Sequence, residues 1–199
     1  MIIPVAAALA ALLPLLVGGR MNRLGAVRLR RTAWVVWALL LQIVVIEMVS
    51  GGPPAILKTV HVLSYLMAAA FLWLNHRVPG LLLVGLGAAC NGITIAINGG
   101  TLPARPGALR TAGIDLVADK FVNSGALAHP HLWFLGDVFA IPAGWPLANV
   151  FSVGDVLIVL GVAVASWRIC GTAWTAPWDA VANGHGPLRP PRHAAAALT

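Results

Sequence analysis

Five apolar stretches, at 2–17, 32–49, 55–74, 80–97 and 150–170, alternate with short segments that carry most of the charge, glycine and proline. Each comes near the roughly 20 residues that a helix needs to cross a bilayer, so the pattern predicts five transmembrane helices. Between the fourth and fifth lies a long loop, 98–149, opening on the glycine- and proline-rich NGGTLPARPG. Within it, Ile114, Val117 and Phe121 share one face of a short predicted interfacial helix. The stretch HLWFLGDVFAIPAGWP is apolar but too short to span, which predicts a re-entrant or interfacial segment. The expected fold class is all-α: a polytopic transmembrane helical bundle of about five spans, one domain over 1–171. A Pro-, Gly- and Ala-rich cytoplasmic tail, 172–199, is expected to be disordered.

The positive charges orient this arrangement. The first apolar stretch has no basic residue before it, and its positive charges follow it without a clear cleavage site. It reads as a retained anchor with the N-terminus outside. Five spans then put Arg20, Arg23, Arg28, Arg30, Arg31, Arg77, Arg168, Arg189 and Arg192 on the inner side. Arg105, Arg110 and Lys120 fall outside, so the positive-inside rule predicts a cytoplasmic C-terminus and a bacterial cytoplasmic membrane location.

Composition agrees. Of 199 residues, 59% are hydrophobic and only 10% charged, with a mean hydropathy of +0.87. Too few charged side chains are present to cover a water-soluble fold of this size. The formal net charge of +7 is no nucleic-acid signature, because the basic run at 20–31 lacks interleaved aromatics and any recognition motif. Cys90 and Cys170 lie inside apolar segments and read as small packing residues.

Ionisable and amide groups inside such segments are costly, so they mark the candidate sites. Glu47 and Lys58 flank the Gly51-Gly-Pro-Pro54 turn and should meet across a helical hairpin, as a clip near the headgroups or as a functional charge site. Lys58, His61 and Tyr65 form one helical stripe, and Asn91, Thr94 and Asn98 form another. Facing each other, the stripes would bond the helices together or line an outward-opening polar pocket. Gly85, Ala88, Ala89 and Gly92 give the fourth span a face of small residues suited to close packing.

Gly-Asp-Val occurs twice, at 136–138 and 154–156. The second copy is part of Ser152-Val-Gly154-Asp155, a capping-box spacing at the head of the last apolar stretch. Asp155 is thus expected at the positive end of a helix. Asp137 has no such explanation. Set among apolar residues, it should be paired or hold its proton; the candidate partners are Arg105, Arg110, Lys120, His129 and His131. His129, His131 and Asp137 fall short of a fixed metal-ligand set, and no cofactor is implied. No His-Glu-x-x-His, Gly-x-Ser-x-Gly, P-loop or Cys-x-x-Cys is present.

The succession NGGTLPARP (98–106), LWFLGDVFAIP (132–142) and FSVGDVLIVLG (151–161) resembles domain-of-unknown-function family 5317, small bacterial integral membrane proteins. The resemblance implies fold and location, not a reaction. It points to Asn98, Gly99, Gly100, Pro103, Gly136, Asp137, Pro142, Ser152, Gly154 and Asp155. Two functional readings follow. In one, the protein is a non-enzymatic accessory or scaffold component, its outer loop forming a cap; in the other, the outer end binds a small polar ligand or ion. The expected partners are the lipid bilayer, other membrane proteins or a second copy of the chain, and no nucleic acid.

Overall fold

A computed structural model describes residues 2–43, 54–114 and 124–178; for 42–43 and 54–62 it describes the backbone only. Helix α1 (Ile2–Leu12) runs into a 3-10 turn, Leu13–Val17, and is followed by a short α2 (Asn22–Ala26). Three longer helices come next: α3 (Thr32–Ile43), α4 (Pro54–Leu74) and α5 (Leu81–Ile97). The remainder is mixed. Strand β1 (Leu102–Pro103), α6 (Pro106–Ala112), β2 (Ser124–Gly125), a 3-10 turn at Trp133–Leu135, β3 (Asp137–Ile141) and β4 (Asn149–Ser152) lead into α7 (Val153–Cys170). β1 pairs with β2 in parallel, and β3 pairs with β4 antiparallel.

The expected all-α bundle of about five spans does not stand. Among the described residues, one helix, Val153–Cys170, is long and apolar enough to cross a membrane. The other apolar helical stretches among the described residues are Ile2–Val17, Thr32–Leu41, Leu63–Leu74 and Leu81–Ile97, those of α3 and α4 being bounded by where the described side chains end. Local chemistry explains part of the difference. Pro14 lies in the 3-10 turn that breaks the first stretch, and Gly18 ends it in the left-handed conformation at φ 78°. Asn98 ends α5. The loop 98–149 is not a bare connection with a re-entrant segment, since Asp137–Ile141 is a strand. Its β-branched and aromatic side chains suit a half-buried pleat better than a membrane loop. The last apolar stretch is likewise divided: Val150 and Phe151 belong to β4, and the helix starts at Val153.

Helix α7 packs between α5 and α1, while α4 packs between α5 and α3. The α5–α7 contact is a glycine seam. A Cβ added at Gly154 would lie 2.6 Å from the Gly87 carbonyl oxygen, and one at Gly161 would lie 2.8 Å from that of Gly80. Two glycines seven residues apart on each helix therefore let the backbones touch over two turns, with the helices running in opposite directions. The small face expected on α5 points elsewhere. Gly85 and Gly92 face α4, with the Leu72 side chain 3.8 Å and the Tyr65 ring 3.5 Å from their Cβ positions.

The far end of this assembly is tied by Asn75, which is fully buried. Its Oδ1 accepts from the Arg30 N–H at 2.8 Å, and its Nδ2 donates to the Arg30 carbonyl at 2.9 Å and to the Phe71 carbonyl at 2.8 Å. Arg20 N–H donates to the Cys170 carbonyl at 3.2 Å, and Ser166 Oγ donates to the Ala10 carbonyl at 3.2 Å. Arg20, Arg30, Arg31, Arg77 and Arg168 thus collect at the end where α4 and α7 finish.

Candidate functional site

The two Gly-Asp-Val copies meet at the opposite end. The β3–β4 register sets Asp137 against Ser152, the residue that caps α7. Ser152 is extended (φ −101°, ψ 170°) and turns the chain from strand into helix. Its Oγ accepts from the Asp155 N–H at 3.0 Å, while Asp155 Oδ2 accepts from the Ser152 N–H at 3.0 Å. This reciprocal box satisfies two of the backbone donors that a helix start leaves open. Asn91 of α5 closes it from the side: its Nδ2 donates to Asp155 Oδ1 at 3.0 Å, and its Oδ1 accepts from Ser152 Oγ at 2.9 Å. The amide has room because residue 154 has no side chain; a Cβ at Gly154 would lie 2.6 Å from the Asn91 Cγ. Glycine here serves close approach.

Asp137 joins three strands. Its carbonyl accepts from the Arg105 N–H at 3.0 Å, beside Ala104, whose own N–H donates to the Gly125 carbonyl at 2.8 Å. Its side chain accepts from Ser124 Oγ, at the start of β2. Gly136, one residue earlier, lies so close to Pro103 that a Cβ would meet the Pro103 carbonyl and sit 3.0 Å from its Cγ. Asp137 is 5% exposed. Burial pushes its carboxyl up from the ordinary 3.8 to about 6; the Ser124 hydrogen bond opposes this, and the nearby Asp155 charge adds to it. Among the described residues no cation pairs with it. Arg105 reaches it through the backbone only, and Arg110, His129 and His131 do not join it. Lys120 lies outside the described residues.

Asn98 works apart from this cluster. Its Oδ1 accepts from the His131 N–H, and its Nδ2 donates to the carbonyls of His131 and Thr94, all at 2.8 Å. Gly99 (φ 70°) and Gly100 (φ 103°) then turn the chain through the left-handed region, where glycine is strain-free. Pro142 begins the β3–β4 turn, and the Ala143 N–H ties that turn to the Thr111 carbonyl of α6 at 2.8 Å.

Of the two expected polar stripes, that on α5 is described throughout, and that on α4 at Tyr65 alone. Asn91 turns to α7, and the fully buried Thr94 bonds its own helix at the Cys90 carbonyl, 2.7 Å away. Tyr65 packs at Gly92. Glu47, and the side chains of Lys58 and His61, lie outside the described residues, and with them the expected Glu47–Lys58 pair. Among the described residues no three His, Cys, Asp or Glu side chains gather as metal ligands.

Three residues that matter here were not singled out in the sequence. Ser124 follows an undistinguished Asn and carries no local signal. Gly87 was legible as the partner of Gly80 at the same seven-residue spacing as Gly154 and Gly161. Asn75 was legible by symmetry with Asn98, since each follows an apolar helix. A surface cleft of about 210 Å³ adjoins the cluster, lined by Pro103, Arg105, Pro106, Leu127, Pro130 and Trp133.

Comparison with known proteins supplies a relationship without an activity. A family of unknown function, DUF5317, matches residues 26–167. An uncharacterized protein of Thermotoga maritima is 32% identical over 100 residues, covering 50% of this chain and 58% of the relative. The match therefore spans little more than half of that relative's length. No solved structure matches. The matched region contains Asn91, Asn98, Asp137, Ser152 and Asp155 together with the helices that position them, and the chain belongs to the DUF5317 family.

Proposed function

We propose that the protein is a non-enzymatic membrane component, an accessory or scaffold subunit. In this reading α7 anchors it in the bacterial cytoplasmic membrane, the sheet-bearing cap is extracytoplasmic and the arginine-bearing end is cytoplasmic. One observation carries it: the polar groups of the motifs are engaged with one another. Both Asp155 carboxylate oxygens accept hydrogen bonds from Ser152 and Asn91, and both amide atoms of Asn98 are taken by Thr94 and His131. A substrate would find these groups already occupied.

The membrane assignment draws on α7 itself. Only 28% of this helix is buried, whereas the core helix of a water-soluble domain is covered on most sides. Leu9, Leu16, Leu82, Leu86 and Leu160 are among the exposed side chains of α7 and its neighbours, an apolar surface that lipid would cover. Orientation follows from the arginines at the Cys170 end of α7. On the cap, Trp133, Phe134, Phe139, Trp145 and Leu147 are exposed, a surface suited to another membrane protein or a second copy of the chain.

The test combines capture with a variant. A mild-detergent pull-down analysed by mass spectrometry should return a stable protein partner. Asp155→Asn should lower folded yield and the detergent melting temperature by several degrees, with no dependence on added ions or small polar molecules. A small molecule that stabilises the parent but not a variant of the Arg105 cleft would overturn the scaffold reading in favour of a binding pocket.

A further inference from the structure

The Cys170 end of α7 gathers cations from four separate segments. Arg20 is held by its N–H to the Cys170 carbonyl, and Arg30 by the Asn75 clamp. Arg77 lies in the turn between α4 and α5, and Arg168 in the last turn of α7, where its carbonyl accepts from the Trp178 N–H at 2.7 Å. These four side chains, with those of Arg28 and Arg31, are exposed. The described residues contain two carboxylates, Asp137 and Asp155, and both are at the other end of α7.

Tryptophans ring the same end. Trp34 opens α3 beside Arg31, whose guanidinium carbon is 6.0 Å from its ring centroid. Trp73 closes α4 and is 73% exposed; Trp174, 74% exposed, lies 6.2 Å from the Trp167 ring at the close of α7. Tryptophan prefers the boundary where an apolar ring meets polar headgroups. Arginine presents a planar fork that matches phosphate oxygens two at a time. Basic residues just beyond a membrane-length helix attract an anionic leaflet.

We propose that this rim binds the headgroups of anionic phospholipids, the arginines holding phosphate and the tryptophans resting at the acyl boundary. The proposal rests on the membrane reading above. It makes the loop 18–31, the turn 75–80 and the segment 171–178 one lipid-binding collar rather than three connectors. Charge complementarity and the exposed indoles beside the arginines favour lipid over an acidic protein, which has no need of tryptophans there.

The experiment uses the full chain in phosphatidylcholine vesicles doped with brominated phosphatidylglycerol or, at equal mole fraction, brominated phosphatidylcholine. Tryptophan fluorescence should be quenched by both, with an apparent preference for the anionic lipid of about fivefold or more. That preference should vanish in an Arg28→Gln, Arg30→Gln, Arg31→Gln, Arg77→Gln variant of unchanged circular dichroism. It should persist in an Arg105→Gln, Arg110→Gln control, which alters the cap. Equal quenching by the two lipids, or a preference that survives the rim variant, overturns the proposal and leaves the membrane reading intact. No quenching by either lipid overturns the membrane reading, and the collar with it. Loss of quenching on adding an acidic protein alone would reassign the rim to a protein partner.

Discussion

Asn75 and Asn98 make the same hydrogen-bond set at opposite ends of the α4–α5 hairpin. Each accepts from the N–H and donates to the carbonyl of one distant residue, Arg30 or His131, and each also donates to the carbonyl four residues back in its own helix. An asparagine side chain here imitates a peptide unit and adds one rung of backbone pairing where no strand exists. The surroundings differ. Asn75 is fully buried and holds an arginine-bearing loop, whereas Asn98 is half-buried and holds the cap. Identical bonding therefore has unequal energetic weight, because a buried amide group left without its partner cannot turn to water.

The seam between the two ends is where a change should cost most. Gly87→Leu forces a side chain into the Gly154 carbonyl, so folded protein should be largely lost, read as aggregation in detergent gel filtration. Gly99→Leu, where a Cβ meets open space, should lose only the strain of a positive φ, about 1 kcal/mol. Equal yields for the two would break the claim that backbone contact joins the ends.

Asn75→Ala should come next, at about 3 kcal/mol for its three hydrogen bonds, against about 1 kcal/mol for Asn98→Ala. Melting curves in one detergent measure the difference; equal losses would mean that burial does not set the weight of the clamp.

A further effect has the opposite sign. Asp137 is raised to about 6 in the fold from an ordinary 3.8, so folding favours its protonated form. The stabilisation is complete below pH 4 and is lost as pH rises through 6. Asp137→Asn keeps an acceptor for Ser124 and removes the charge near Asp155. It should raise stability at pH 8 by about 2 kcal/mol and flatten the profile between pH 4 and 8. Asp155→Asn should lower stability, so the two Gly-Asp-Val copies would separate by sign. If Asp137→Asn is also destabilising at pH 8, its carboxylate is a bonded anion rather than a buried acid.

Some of this was legible beforehand and some was not. The Ser152–Asp155 box was readable because capping is a contact over three residues, and the glycine turn after Asn98 because positive φ is a local demand. The length of the apolar stretches misled. A hydropathy pattern counts residues but does not show that Pro14 ends a helix early, or that Val150 and Phe151 pair with β3 before α7 begins. Asp137 was recognised as unusual, but among the described residues none of the expected cations meets its carboxylate. Its real neighbours, Ser124, Ser152 and Asp155, arrive from other strands and from a helix start.

The sequence by itself determined the apolar character of the chain, the arginine bias of its segments, the cap of α7 and the glycine turns, because each depends on residues adjacent in the chain. The tertiary structure alone decided that the two Gly-Asp-Val copies converge, that Asn91 completes the cap of another helix, and that Gly80 and Gly87 meet Gly161 and Gly154. The physical reason is range: a cap or a turn is closed within a few residues, whereas the burial of Asp137 and the α5–α7 seam exist only once distant segments have excluded solvent together.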